Sequence, residues 1–360
     1  MRMFACHNCN NLLYFENVQC TVCGATLGFL PDQLRLVALV PLADGSWQAT
    51  DNGQQYRMCD NYSAQNVCNW MVEANSSEAF CLSCRLDRTI PDLGVNDNRL
   101  RWQTLEIEKR RLVYSLLRLG LPLAPQSRDP AGLAFDFLAD TPATFSEQGR
   151  VMTGHNNGVI TLNISEADDV ERERMRQQMA EPYRTILGHF RHESGHYYWH
   201  RLLGSGNNLD AFRTCFGDER LDYSQALEQH YQQGPAFDWE SYYISAYASC
   251  HPWEDWAETW AHYLHIVDTL ETAYSFGLRI TPRRGDPALY SVEHDFNAYA
   301  QGDFPPLIEH WLPLTFALNS LNRSMGHRPS YPFVLAPAVV DKLAFVHRVV
   351  KNAQHAANVF

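Results

Sequence analysis

No run of apolar residues approaches the roughly 18 needed to cross a bilayer. The start, MRMFACHNCNN, also lacks the charged opening and continuous apolar stretch of a signal peptide. These absences exclude a membrane-spanning helix and predict cytoplasmic residence. Positive charge is short as well: 29 Lys and Arg stand against 41 Asp and Glu, a net charge of −12 with the 15 His neutral. Following a phosphate backbone takes clustered cations, so this balance weighs against nucleic acid as a partner. The one locally basic stretch carries Arg99, Arg101, Lys109, Arg110, Arg111 and Arg118, and reads as the solvated face of an amphipathic helix. Low-complexity tracts and repeats of fixed period are missing too. What is present, 45% hydrophobic and 12% aromatic residues over 360 positions, suits an ordered protein with a sizeable core.

Eight of the ten cysteines precede residue 85. In a reducing compartment such clustering points to metal sites rather than disulfides. Cys6-x-x-Cys9 and Cys20-x-x-Cys23-Gly24 form two knuckles, and their four thiolates fit a tetrahedral structural zinc, although a rubredoxin-like iron site uses the same ligands. Cys59, Cys68, Cys81 and Cys84 supply a second set of four for a second structural zinc, with interleaved pairing of the two sets left open. Cys215 and Cys250 stand alone and read as small buried hydrophobes.

Composition changes near Pro91, which predicts a zinc-ribbon domain over 1–92 and a larger domain over 93–360. Leu100, Trp102, Leu105, Leu112, Leu116 and Leu119 recur at helical spacing, with Asn96 or Asp97 as N-cap and Gly120 then Pro122 as the stop. Residues 133–164 alternate as strands, with His155-Asn-Asn-Gly158 as a tight turn between Val151-Met-Thr and Val159-Ile-Thr-Leu. Helical patterns follow over Ser165–Ala180, Tyr183–Leu203 and Trp253–Ala273, with two more between Pro306 and Asn352. A short sheet followed by helices predicts an α+β fold.

The chemistry centres on His192-Glu193-Ser194-Gly195-His196. On a helix, positions i and i+4 share a face, so both imidazoles can reach one zinc ion. Glu193 sits beside that face, where a carboxylate can take a proton from water activated by the metal. A metzincin would carry Gly at 199 and His at 202; Trp199 and Leu202 exclude that pattern. His189 and His200 lie off the ligand face and read as packing or surface residues. A downstream carboxylate is the better third ligand. In Trp253-Glu254-Asp-Trp-Ala-Glu258-Thr-Trp, Glu254 and Glu258 share a helical face: one binds zinc and the other hydrogen-bonds a ligand imidazole from behind. Three tryptophans make that helix too apolar for idle carboxylates.

HFRHESGHYYW, FGDER, ISAYAS, WEDWAETWAHYLHIVDTLETA and SLNRSMGHRPSYPFVLAP, together with the N-terminal cysteine knuckles, resemble a bacterial family of zinc-binding metallopeptidases with a zinc-ribbon domain. The resemblance covers nearly the whole chain. More distantly, the spacing is similar to gluzincins of the anthrax lethal factor type, in which a Tyr stands seven residues before a ligand Glu. That likeness implies a zincin-like domain with Glu254 as the ligand, Glu258 behind it and Tyr247 donating to the oxyanion. It also implies an edge strand over the active helix, so Gly158–Asn163 is expected to pair with extended substrate. The expected activity is hydrolysis of peptide or related amide bonds, with Glu193 as general base and a peptide or protein as partner. The competing reading is a zinc ribbon that binds protein or nucleic acid beside a catalytically silent domain. FGDER either orients substrate or caps a helix.

Overall fold

A computed structural model describes residues 1–95, 97–140, 151, 153–178, 185–204, 208–293 and 295–357. The chain divides into two compact units: Met1–Arg118 with Leu123–Arg172, and Leu119–Pro122 with Glu173–Phe360.

In the first unit, strands β1 (Phe4–Ala5) and β2 (Leu12–Leu13) form a small hairpin. Five antiparallel strands follow as a meander: β3 (Thr26–Leu30), β4 (Arg35–Pro41), β5 (Trp47–Ala49), β6 (Gln55–Met58) and β7 (Met71–Glu73). A bridge between Phe29 and Trp70 brings the first strand back to the last, so little edge is left unpaired. The short helix α1 (Asp60–Ser63) lies between β6 and β7. The core is aromatic: Phe15, Phe29, Trp70 and Tyr114 stack edge-on or tilted. Tyr114 comes from α2 (Asn98–Arg118), which starts beside the expected cap; Asn96 lies outside the described residues.

The apolar stripe of α2 is buried at Trp102, Leu105, Leu112 and Leu116, while Leu100 is exposed. The basic face departs from expectation. Lys109 and Arg110 are buried rather than solvated. Lys109 pairs with Asp87 and with Glu106, whose Oε1 lies 2.6 Å from its Nζ, and those carboxylates hold its pKa above the ordinary lysine value against the cost of burial. A cation reaches the interior only when countercharges travel with it, and here they come from the strand before α2 and from α2 itself.

A second sheet has the order β10–β11–β9–β8, formed by β8 (Asp87–Thr89), β9 (Ala134–Leu138), β10 (Gly154–Asn156) and β11 (Val159–Asn163). β8 precedes the compositional change near Pro91 and pairs with β9 beyond it. Asn157 (φ 48°) and Gly158 (φ 82°) make the two-residue hairpin turn, both in the left-handed region that such turns require. β11 pairs with β10 on one side and β9 on the other. The expected substrate-pairing edge at Gly158–Asn163 is therefore interior, and its hydrogen bonds are already used; β10 is the edge on that side. The expected strand Val151-Met-Thr begins later, at Gly154, and Met152 lies outside the described residues.

The second unit is helical. Its elements are α4 (Ile186–Leu202), α5 (Asn208–Phe216), α6 (Tyr223–Gln233), α7 (Pro252–Ser275), α8 (Pro287–Tyr290), α9 (Pro305–Ser324) and α10 (Pro337–Ala357), with a small hairpin of β12 (Arg279–Ile280) and β13 (Val292–Glu293). The helix α3 (Asp169–Gln178) joins the two units; Ala180 and Tyr183, expected in helices, lie outside the described residues. α7 is the hub, packed against α4, α9 and α10. Trp256, Trp260, Tyr263, Leu264 and Ile266 are buried along it, as are Phe190, Tyr197 and Tyr198 along α4. The architecture is α+β, as the order of strands and helices predicts.

Candidate metal centre and active site

Helix α4 starts where Thr185 caps it, its side chain accepting from the Gly188 N–H at 2.9 Å. Helix α7 starts at Pro252, a residue pre-organised for the first helical position, and His251 Nδ1 caps it by accepting from the Trp253 N–H at 3.1 Å. The two helices approach closely at Gly195. A Cβ there would stand 2.9 Å from the Ala257 Cα and 3.2 Å from the Trp260 side chain, so only glycine admits this approach. Trp256 Nε1 donates to the Gly195 carbonyl at 2.8 Å and Trp260 Nε1 to the Ser194 Oγ at 3.1 Å. The two residues between Glu193 and His196 thus seat α4 on α7.

That seating brings His192, His196 and Glu254 together, each buried, with their ligand atoms mutually within 4.8 Å. His192 Nε2 lies 3.0 Å from Glu254 Oε2, and His196 Nε2 lies 3.5 Å from Glu254 Oε1. Ligands about 2.1 Å from a tetrahedral zinc would stand about 3.4 Å apart, so the spacing fits. The donor chemistry fits as well. Glu258 Oε1 stands 2.6 Å from His192 Nδ1, which keeps a proton on that nitrogen and leaves Nε2 as the one that would bind a metal. Glu254 Oε2 is buried, with His192 Nε2 as its polar neighbour at 3.0 Å. A buried imidazole nitrogen and a carboxylate oxygen at 3.0 Å need a cation between them, a proton or a metal ion. Burial acts to lower the His192 pKa, yet the hydrogen bonds and charges of Glu254 and Glu258 outweigh it and hold it well above the ordinary value. The pocket favours positive charge.

Glu258 is itself held. Ser245 Oγ donates to Glu258 Oε2 at 2.6 Å and accepts from the Ala248 N–H at 3.1 Å. Of the two carboxylates left open by spacing, Glu254 faces both Nε2 atoms and Glu258 backs His192. Glu193 is buried beside the cluster, with Oε1 3.4 Å from His189 Nε2. Burial raises its carboxyl, but His189, His192 and His196 overcome that and leave it below the ordinary value, hence ionised near neutral pH. Tyr247 lies in a one-turn helix before α7, its ring centroid 6.0 Å from that of His192.

Over residues 98–349 the chain matches the family described as "Putative zinc-binding metallo-peptidase", and over residues 3–95 it matches a zinc-ribbon domain. The chain belongs to this zinc-binding metallopeptidase family. It is 44% identical to uncharacterized proteins of Mycobacterium bovis and of two strains of Mycobacterium tuberculosis, over 97% of this chain and 95% of each relative. No solved structure matches it. Among the described residues, no helix is long and apolar enough to cross a membrane.

This member of the family carries two further donor clusters, both in the first unit. Cys6, Cys9, Cys20 and Cys23 converge, as do Cys59, Cys68, Cys81 and Cys84, without interleaving. Sγ atoms stand 3.6 Å apart for Cys6–Cys23 and Cys9–Cys20, and 3.8 Å for Cys68–Cys81. A tetrahedron of Zn–S bonds near 2.3 Å has edges of about 3.8 Å, whereas a disulfide would need about 2.05 Å. In the first cluster, Asn10 (φ 57°) and Gly24 (φ 72°) take the left-handed turn that lets the backbone wrap a knuckle. In the second, all four cysteines are buried, and the N–H groups of Trp70 and Cys81 donate to the sulfurs of Cys68 and Cys59, each at 3.3 Å. Such donors stabilise thiolates.

Several contributors were not legible in the sequence. Tyr223, on α6, donates to Glu254 Oε1 at 2.9 Å from 31 residues upstream, and Ser245 lies within ISAYAS but its contact with Glu258 could not be read from that string. FGDER is tied to α5 and to itself: Glu219 takes a two-pronged bond from Arg213 of α5 at 2.6 and 3.0 Å, and Arg220 binds Asp218 at 2.7 and 2.8 Å. None of its charged side chains belongs to the donor set of the metal centre. Cys215 and Cys250 are half-buried and stand apart from the cysteine clusters.

Proposed function

We propose that this chain hydrolyses peptide or related amide bonds in the manner of a gluzincin, with His192, His196 and Glu254 holding the catalytic zinc. The observation that carries the reading is the meeting of buried Glu254 with His192 Nε2 at 3.0 Å and His196 Nε2 at 3.5 Å, next to an ionised Glu193. When bound, zinc would polarise the scissile carbonyl and acidify water at the same site. Glu193 takes the proton from the attacking water and returns it to the departing amine, so each proton has one carrier. Glu258, braced by Ser245, keeps His192 in the tautomer whose Nε2 faces the site. Tyr247 offers a hydroxyl to the developing oxyanion.

In this reading the two cysteine clusters hold structural zincs, since four thiolates leave no open position for substrate. The zinc-ribbon region (1–92) acts as scaffold or protein-binding surface, and the metallopeptidase region (93–360) carries the chemistry. Ten unpaired cysteines suit the reducing cytoplasm. A peptide or protein is the substrate class. A silent domain would have no use for Glu193, which favours the enzyme over a purely binding role. The test compares Glu193→Gln with the native chain on an unstructured protein substrate. The variant keeps its full zinc content and loses hydrolysis by about 10²–10⁴-fold. Equal hydrolysis in both ends the proposal.

A further inference from the structure

The metal-facing carboxylate is held by a residue that no motif contains. Glu254 presents two unequal oxygens. Oε2 is buried and faces His192 Nε2 at 3.0 Å, whereas Oε1 lies farther from the imidazoles, 3.5 Å from His196 Nε2. Oε1 accepts the Tyr223 hydroxyl at 2.9 Å. Tyr223 opens α6, an eleven-residue helix with no buried residue, which follows directly on its Asp222 cap. The tyrosine ring is steadied edge-on against His251 (centroids 5.3 Å) and Trp253 (6.0 Å), the cap and the second residue of α7. The ring therefore rests on the helix that carries Glu254, and its hydroxyl fixes which way that carboxylate turns.

We infer that Tyr223 is a positioning residue for the metal centre: its hydroxyl occupies Glu254 Oε1 and leaves Oε2 as a single-oxygen ligand, keeping a coordination position open. A carboxylate free of that bond can rotate and bind through both oxygens, which closes the position that water and substrate need. Outer hydrogen bonds of this kind change metal affinity by about 10–100-fold. Tyr223 is distinct from Tyr247: it touches a ligand, not the reacting atoms. The inference rests on the proposed metal site.

The test uses the full chain with zinc left in the cysteine clusters and Co2+ added to the histidine site. Tyr223→Phe retains the ring packing and removes only the hydroxyl. The expected result is a Co2+ affinity changed by about 10–100-fold and an altered d–d spectrum, as the carboxylate turns, with an unchanged thermal melt. Tyr223→Gln, which restores a donor, moves both readouts back toward the native values. Native affinity and spectrum in Tyr223→Phe overturn the inference while leaving the metal site standing. His192→Ala separates the two: if it binds Co2+ as the native chain does, the metal site itself is wrong and this inference falls with it.

Discussion

Glu258 Oε1 lies 2.6 Å from His192 Nδ1, while Glu254 Oε2 lies 3.0 Å from His192 Nε2. One imidazole is thus gripped on both sides by carboxylates one helical turn apart on α7, and the two grips do different work. The inner one completes a donor set; the outer one fixes a tautomer.

This division predicts graded losses. Glu254→Gln removes a ligand and abolishes tight binding at the histidine site. Glu258→Gln keeps all three ligands and weakens zinc there by about 10–100-fold. Competition with a chromophoric chelator measures both. The opposite ranking would make Glu258 the ligand.

Zinc content checks the larger inventory. Atomic absorption on the native chain is expected to find three zinc ions, one at the histidine site and one in each cysteine cluster. His192→Ala, Cys9→Ser and Cys81→Ser each remove one. Cys81→Ser lowers the melting temperature more than Cys9→Ser, because the second cluster is buried on all sides and the first has two exposed cysteines. A native content of two ions would refute this count.

Gly195→Ala tests the helix crossing. The new methyl stands 2.9 Å from the Ala257 Cα, and backbone on that side has no room to yield. The expected cost is about 1–3 kcal/mol, seen as a lower midpoint in urea unfolding. Zinc affinity at the histidine site falls with it, because His196 and Glu254 separate as the helices part. A neutral substitution would mean that the helices are less closely seated.

Acid sensitivity follows from His262. Burial lowers its pKa from 6.5 to about 4, with Nδ1 2.8 Å from the Tyr331 hydroxyl and Phe333 edge-on against the ring. The unfolded chain protonates this histidine near pH 6.5, whereas the folded one resists until about pH 4. Its contribution to stability is complete above pH 6.5 and declines as pH falls toward 4, by about 3 kcal/mol in all at about 1.4 kcal/mol per pKa unit. Ring resonances of His262 titrating near pH 4, and a shallower loss of stability in His262→Gln over that range, are the expected observations. A midpoint near 6.5 would contradict them.

Much of the centre was readable without coordinates because helical spacing is local. A separation of four residues decides which side chains share a face, and that holds for His192 with His196 and for Glu254 with Glu258. The cysteine knuckles are legible for the same reason, each being a turn of four residues. The solvated reading of Lys109 and Arg110 failed because burial depends on partners distant in sequence: Asp87 lies 22 residues before Lys109. The substrate-pairing edge at Gly158–Asn163 failed similarly, since neighbours decide whether a strand is an edge, and β9 and β10 took both sides.

By itself the sequence determined the ligand types, their spacing along each helix and the two sets of four thiolates, because these follow from short-range backbone geometry. Only the tertiary structure decided which carboxylate faces the histidines, because that depends on how α4 seats on α7 at Gly195. It also decided that Tyr223 and Ser245 belong to the centre. Their side chains reach it across loops, and no short-range rule links a residue to a partner that chain folding alone brings within 3 Å.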